Sequence, residues 1–353
     1  MAYRLKTGAH FQKDVRRLLT AQISRAVAHL SGQNTSAGED VSAVHETRKA
    51  LKRCRSILRL VRPGLNGKVF QTEDHAFRSI ARILSQERDR QVMAQTLTKL
   101  SSQPRPQAEA EALKTASAAL LNGPVQGAHH GDPESDARLA LTMLEQAAEN
   151  VRKIRITPPS LDTLAAGFGT TYADGRRAFK KAYRSGDDES FHAFRKLVQH
   201  HWRHLNLLSP AWPELMEVRV ASARQLAELL GDDHDLSILA ERLGDSSLAT
   251  LDPVCRAAVI AIARDEQARL RAEAQPIAGR LFAQRPRDME RMIVQLWPAA
   301  QRLVKQQRAA RVSSTKVDQG RTVHKKKAAA GKKPADVPEN KATGDVVPLV
   351  TNG

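Results

Sequence analysis

The chain has 353 residues, a net charge of +18 at neutral pH and an isoelectric point of about 10.3. This length suffices for one large or two medium domains, and such a charge implies an anionic partner: nucleic acid, another polyanion or an acidic membrane surface. Aromatic residues make up 4% of the sequence, which argues mildly against a protein that stacks bases of single strands.

The cysteines and the hydropathy suggest a compartment. Cys54 and Cys255 are isolated and form no CxxC motif, which fits a reducing cytoplasm. No apolar run reaches 18 residues, so we expect no membrane span. We therefore expect a cytoplasmic protein.

Apolar residues recur at helical spacing along most of the chain, and no segment shows the alternation of a strand, which predicts an all-α fold. In chain order the predicted helices span about 10–30, 44–61, 70–100, 107–121, 134–155, 160–185, 188–208, 213–243, 251–284 and 286–310. From about Val312 the sequence becomes rich in Lys, Ala, Pro and Gly without an apolar period, which predicts a disordered basic tail. The predicted division is a helical domain over 1–310 and a tail over 311–353.

The second predicted helix is amphipathic in an unusual way. Its apolar face, which ends before Pro63, consists of Val44, Leu51, Cys54, Leu58 and Val61. Beside that face runs a basic row of His45, Arg48, Lys52, Arg55, Arg59 and Arg62. No acidic residue follows Glu46 within the helix, so pairs four residues apart cannot neutralise the row. The row is either a solvated basic face or an anion site, and we favour the anion site because uncompensated cations repel one another.

A second copy of this pattern appears later in the chain. The motif His45-Glu46-Thr47-Arg48-Lys49 recurs as His192-Ala193-Phe194-Arg195-Lys196, 147 residues on. The helices that follow also match, with Phe77 to Leu84 aligning with Ala223 to Leu230. This repeat predicts two similar helical bundles, over about 10–155 and 160–310, packed about a pseudo-twofold axis. The two His-x-x-Arg helices would then lie near one shared groove.

These paired motifs resemble the CHAD family, the conserved histidine α-helical domain. The segment from Leu229 to Leu236 and the pair Arg88-Asp89 share this resemblance. The resemblance covers roughly residues 10–300. It implies two four-helix bundles around a basic central cavity that binds inorganic polyphosphate, in association with polyphosphate granules and without established catalysis. Gln199 and His200 depart from the pattern, since family members often have Lys or Arg there. No ExExK signature of the triphosphate-tunnel enzymes fused to many members occurs here.

The repeat and the resemblance together give a set of expected polyphosphate-binding residues. They are His45, Arg48, Lys49, Lys52, Arg53, Arg55, Arg59, Arg78, Arg82, His192, Arg195, Lys196, Arg203 and Arg224. For His45 and His192 a structural role stays open beside that of a switchable donor, and for Arg78, Arg82 and Arg224 ordinary surface pairing stays open. Arginine suits phosphate through its forked donors and lysine through its mobile charge.

A metal site is the competing interpretation of Asp232-Asp233-His234-Asp235. It would need further ligands from other helices, and the first repeat has Arg88-Asp89 at this position, which supplies no histidine. We interpret Asp89 and Asp235 as structural carboxylates that hold basic side chains across the groove. No Gly-rich phosphate loop or Ser/His/Asp order occurs, so we expect no enzyme, no cofactor and no metal.

The sequence thus predicts a non-enzymatic, cytoplasmic protein that binds inorganic polyphosphate, with a basic tail that adds affinity for granules or nucleic acid. Two alternatives stay open. One is a DNA- or RNA-binding accessory protein that acts through charge, and the other is a metal-dependent phosphohydrolase that uses the region of His234.

Overall fold

The computed structural model describes residues 3–8, 10–32, 40–84, 86–122, 133–244 and 251–330, without the side chains of 40–42, 86–91, 121–122, 133 and 311–330. Within these ranges there are eleven α-helices and no strand, which confirms the all-α prediction. The helices are α1 Phe11–Leu30, α2 Asp40–Val61, α3 Gly67–Ile83, α4 Gln86–Ser101, α5 Gln107–Asn122, α6 Pro133–Lys153, α7 Leu161–Ser185, α8 Asp188–Leu208, α9 Pro213–Gly244, α10 Pro253–Leu281 and α11 Pro286–Ala330. None of these described helices has an apolar stretch of membrane-spanning length.

Two hydrophobic cores explain where the helices break. The larger core joins α1, α2, α3, α6, α7 and α8 with parts of α9, α10 and α11. The smaller core joins α4 and α5 with the second half of α9 and the first half of α10. The expected single helix over 70–100 is divided at Leu84, which belongs to the larger core, whereas Leu97 and Leu100 belong to the smaller one. No proline or glycine marks this division, so the sequence pattern did not reveal it.

The C-terminal helix is longer than expected. It continues to Ala330, whereas we expected it to end near residue 310. Lys and Ala favour helices and no proline follows Pro298 until Pro334, so nothing in the sequence stops the helix earlier. Residues 331–353 of the expected tail lie outside the described residues. Contacts divide the chain into two units, Met1–Arg302 and Leu303–Gly353, and all the expected binding residues belong to the first.

In the larger core, α2 packs against α1, α3, α7 and α8. Gly167 of α7 permits this close approach, because a Cβ there would lie 1.8 Å from the carbonyl oxygen of Leu60. The bundles predicted from the repeat, over about 10–155 and 160–310, span α1 to α6 and α7 to α11, but α4 and α5 pack against α9 and α10 in the smaller core. Their pseudo-twofold relation stays a prediction.

Candidate polyanion-binding site

The two His-x-x-Arg helices lie side by side. Ser56 of α2 bonds to α8 twice: its Oγ lies 2.9 Å from Nδ1 of His200, and its carbonyl oxygen lies 2.8 Å from Nε2 of His204. A carbonyl oxygen only accepts hydrogen bonds, so Nε2 of the fully buried His204 is the donor. The sequence-based expectation that α2 and α8 are neighbours is therefore correct.

Cations from three helices meet where α2 faces α8. We call the group Lys52, Arg55, Arg78, Arg195 and Lys196 the basic cluster, and Arg203 of α8 lies buried beside it. Burial lowers the pKa of the Lys196 ammonium, and the nearby guanidiniums of Arg55, Arg195 and Arg78 lower it further. Arg55 lies on α2 and Arg78 on α3, and both pair with the carboxylate of Asp74, so basic residues of three helices lie near one another here.

Two histidines adjoin the cluster. The imidazoles of His192 on α8 and His234 on α9 stack with their centroids 4.0 Å apart. Burial lowers the pKa of His192 to about 4 and that of His234 to about 3, and Arg195 and Lys196 beside both rings contribute to these shifts. Both imidazoles are therefore neutral near pH 7 in the free protein. The expected partner of His192 in the first repeat, His45, is instead exposed near the start of α2.

Carboxylates from neighbouring helices compensate part of the basic row. Arg55 donates from Nε and Nη2 to Asp74 of α3, at 2.7 and 3.4 Å, and Arg78 pairs with the same carboxylate. Arg59 pairs with Asp174 of α7 at 3.3 Å. The prediction of a wholly uncompensated row is wrong at Arg55 and Arg59, since it considered acidic residues of the same helix alone.

Two expected residues make local ion pairs, and a third is exposed at the end of its helix. Lys49 is exposed and pairs with Glu46, 2.8 Å away, and this hydrogen bond lowers the pKa of Glu46. Arg224 is exposed and pairs with Glu228 of its own helix at 2.8 Å. Arg82 is exposed on the last turn of α3.

Two further arginines are anchored by neutral groups. Arg48 donates from Nη1 to the carbonyl oxygen of Ala81 at 2.6 Å, which ties α2 to the end of α3. Arg53 points toward α1 and the N-terminal segment, where it donates to Gln22 at 3.3 Å.

Sequence reasoning missed Asp74 and Asp174 as partners of the basic row. A signal for each was present, because Asp74 precedes Arg78 by four residues and Asp174 precedes Arg177 by three, and both pairs form. Their longer-range partners Arg55 and Arg59 carried no such signal. Tyr3, whose hydroxyl donates to the carbonyl oxygen of Arg53 at 3.0 Å, was missed as well, since a short N-terminal segment has no periodic pattern to place it.

Carboxylates in the acidic segment of α9 pair with basic residues of α4 and α10. Asp233 is buried, pairs with Arg271 of α10 at 2.6 Å and accepts from Gln267. Asp232 pairs with Lys99 of α4, and Asp235 lines a cavity between α4, α9 and α10. Among the described residues no group of three His, Cys, Asp or Glu side chains is placed to hold a metal ion. The side chains of Arg88 and Asp89 lie outside the described residues.

Comparison with known proteins adds a family and a fold. The family model described as CHAD domain matches residues 17–244, which is more than half of the chain. Among solved structures, PptA from Streptomyces chartreusis matches with a TM-score of 0.50 and 13% sequence identity, over 77% of this chain and 99% of that one. This likeness indicates a similar fold. No curated protein matches the sequence.

Proposed function

The chain belongs to the CHAD domain family, which is linked to polyphosphate binding in general, and on that premise we propose that it binds inorganic polyphosphate along the basic cluster. The observation that carries the proposal is the convergence of cations from α2, α3 and α8: Arg55 and Arg78 pair with the same carboxylate of Asp74, and Ser56 of α2 bonds to two histidines of α8. Polyphosphate is a flexible chain of closely spaced negative charges, so a cluster of donors without base-reading side chains suits it.

The free-energy argument rests on repulsion between like charges. Cations close enough to lower the pKa of Lys196 also destabilise the folded chain, and a polyanion laid among them removes that repulsion. The carboxylates of Asp74 and Asp174 already neutralise part of the row, so a ligand must compete with them for Arg55 and Arg59. This competition favours a ligand of high charge density over one whose phosphates are widely spaced.

We propose further that the protein binds without catalysing a reaction, in the cytoplasm and at polyphosphate granules. The basic C-terminal segment is proposed to add affinity for granules or nucleic acid. A DNA- or RNA-binding function through charge alone is the alternative against which the proposal is tested.

The test compares two Arg-Lys pairs of equal charge. Arg195→Gln with Lys196→Gln removes two cations of the cluster, whereas Arg152→Gln with Lys153→Gln removes two exposed cations at the end of α6. Titration with polyphosphate at about 50 and 200 mM salt should show weaker binding and a salt slope smaller by roughly one to two units for the first variant only. Equal losses in both variants would contradict a localised site.

Competition separates polyphosphate from nucleic acid. We expect polyphosphate to displace duplex DNA of equal total charge from the full chain readily, and the reverse displacement to need a large excess. Displacement with equal ease in both directions, unaffected by Arg195→Gln with Lys196→Gln, would support the nucleic-acid alternative.

A further inference from the structure

Two arginines beside the basic cluster are held by aromatic rings. The guanidinium of Arg53 lies 5.3 Å from the ring centroid of Tyr3, and that of Arg203 lies 5.6 Å from the ring of Trp202. Tyr3 also donates its hydroxyl to the carbonyl oxygen of Arg53 at 3.0 Å. Cation–π contacts of this kind orient a guanidinium without cancelling its charge.

Within the described residues, each of these two arginines donates one hydrogen bond from its guanidinium. Arg203 donates from Nη1 to the carbonyl oxygen of Gln199 at 2.9 Å, and Arg53 donates from Nη1 to Gln22 at 3.3 Å. Each guanidinium has five N–H donors. Within the described part of the chain no carboxylate forms an ion pair with either residue, in contrast to Arg55 with Asp74 and Arg59 with Asp174.

Arg203 is also buried, with 9% of its surface exposed. Burial lowers its pKa to about 10, and although Tyr3 opposes this shift, Arg53, Arg195 and Arg55 add to it. A buried cation without a counter-ion destabilises a fold, and an apolar side chain of similar volume would be more favourable there. A bound anion that pairs with Arg203 would remove this cost, which would explain why the position holds an arginine.

We propose that Arg53 and Arg203 form an inner anion position, next to the basic cluster, that receives one phosphoryl group of the bound polyanion. The inference rests on the proposed function and adds which arginines contribute most to affinity. Arg55 and Arg59 share their donors with carboxylates, whereas the inner pair offers its full charge. Tyr3, which contacts Arg53 of this position, lies outside residues 17–244, the part of the chain to which the family model aligns.

The test uses Arg203→Met, with Arg59→Met as the matched control, in the full-length chain. Without ligand, Arg203→Met should melt a few degrees above the wild type, because it removes a buried cation, whereas Arg59→Met should not, because it leaves Asp174 with one partner fewer. Binding of long-chain polyphosphate should weaken roughly 10- to 100-fold in Arg203→Met and less in Arg59→Met. A purely structural residue would not combine higher stability with lower affinity.

Two further measurements keep the outcome decisive. Arg203→Lys retains the charge and should recover part of the lost affinity, and inorganic pyrophosphate as a second probe shows whether a short phosphate suffices or a chain is needed. If Arg203→Met binds polyphosphate as tightly as the wild type, or Arg203→Lys binds no better than Arg203→Met, the inner position is refuted. If the wild type itself binds no polyphosphate, the proposed function fails instead.

Discussion

Binding of polyphosphate should strengthen as the pH falls from 7 to 5, because of His192 and His234. In the free protein both imidazoles are neutral, since burial and the cations Arg195 and Lys196 keep both pKa values low. A polyanion among these cations reverses the local potential and raises both pKa values. A group whose pKa rises on binding takes up a proton, so the complex gains affinity between the free and the bound pKa.

The magnitude follows from the pKa of His192, about 4 in the free protein against an ordinary value of 6.5. If the ligand restores the ordinary value, one proton taken up raises the affinity roughly 20-fold between pH 7 and pH 5. The two rings stack at 4.0 Å, so a charge on one opposes a charge on the other. We therefore expect a net uptake of about one proton for the pair rather than two.

Isothermal titration calorimetry in buffers of different protonation enthalpy counts these protons directly. The variant His192→Gln with His234→Gln should lose the pH dependence, while His10→Gln, at an exposed position before α1, should keep it. An affinity that changes less than about threefold over this range in the wild type would refute the reasoning, because the full effect is about 20-fold.

Three other outcomes follow from the contacts. Arg224→Gln should leave polyphosphate binding unchanged in a fluorescence titration, because Arg224 is exposed and paired with its own helix. At a polyphosphate concentration 100 times the dissociation constant, denaturant unfolding should show a gain of about 2.7 kcal/mol in the free energy of unfolding. The fully buried His201 has a pKa of about 3, so the unfolded chain binds a proton that the folded chain does not, and stability is lost as the pH falls below 6.5. His201→Leu should reduce this loss by about 1.4 kcal/mol per pH unit between about pH 6 and pH 4, measured by unfolding at several pH values.

The sequence predicted the helical class and the neighbouring positions of α2 and α8 for a physical reason. Apolar spacing determines which face of each helix is buried, and the repeated motif around His45 and His192 marked two equivalent helices before any contact was known. It also placed Arg195 and Lys196 in the expected set, and the structure brings them together with Arg55.

What the sequence did not predict depends on long-range contacts. The pairs of Arg55 with Asp74 and of Arg59 with Asp174 join separate helices, and only the packing angles of α2 against α3 and α7 bring them together. The sequence also did not predict that Arg224 is exposed. The internal repeat aligns Arg224 with Arg78, but this alignment does not show which face of each helix is turned to solvent.

Lysine footprinting with an amine-reactive reagent tests the central proposal most directly. With saturating polyphosphate, mass spectrometry should show protection of Lys52 and Lys196, while Lys114 on α5 and Lys153 on α6, both exposed, should react as in the free protein. Protection confined to the lysines beyond residue 310, or equal at all four positions, would contradict a polyphosphate site where α2 faces α8.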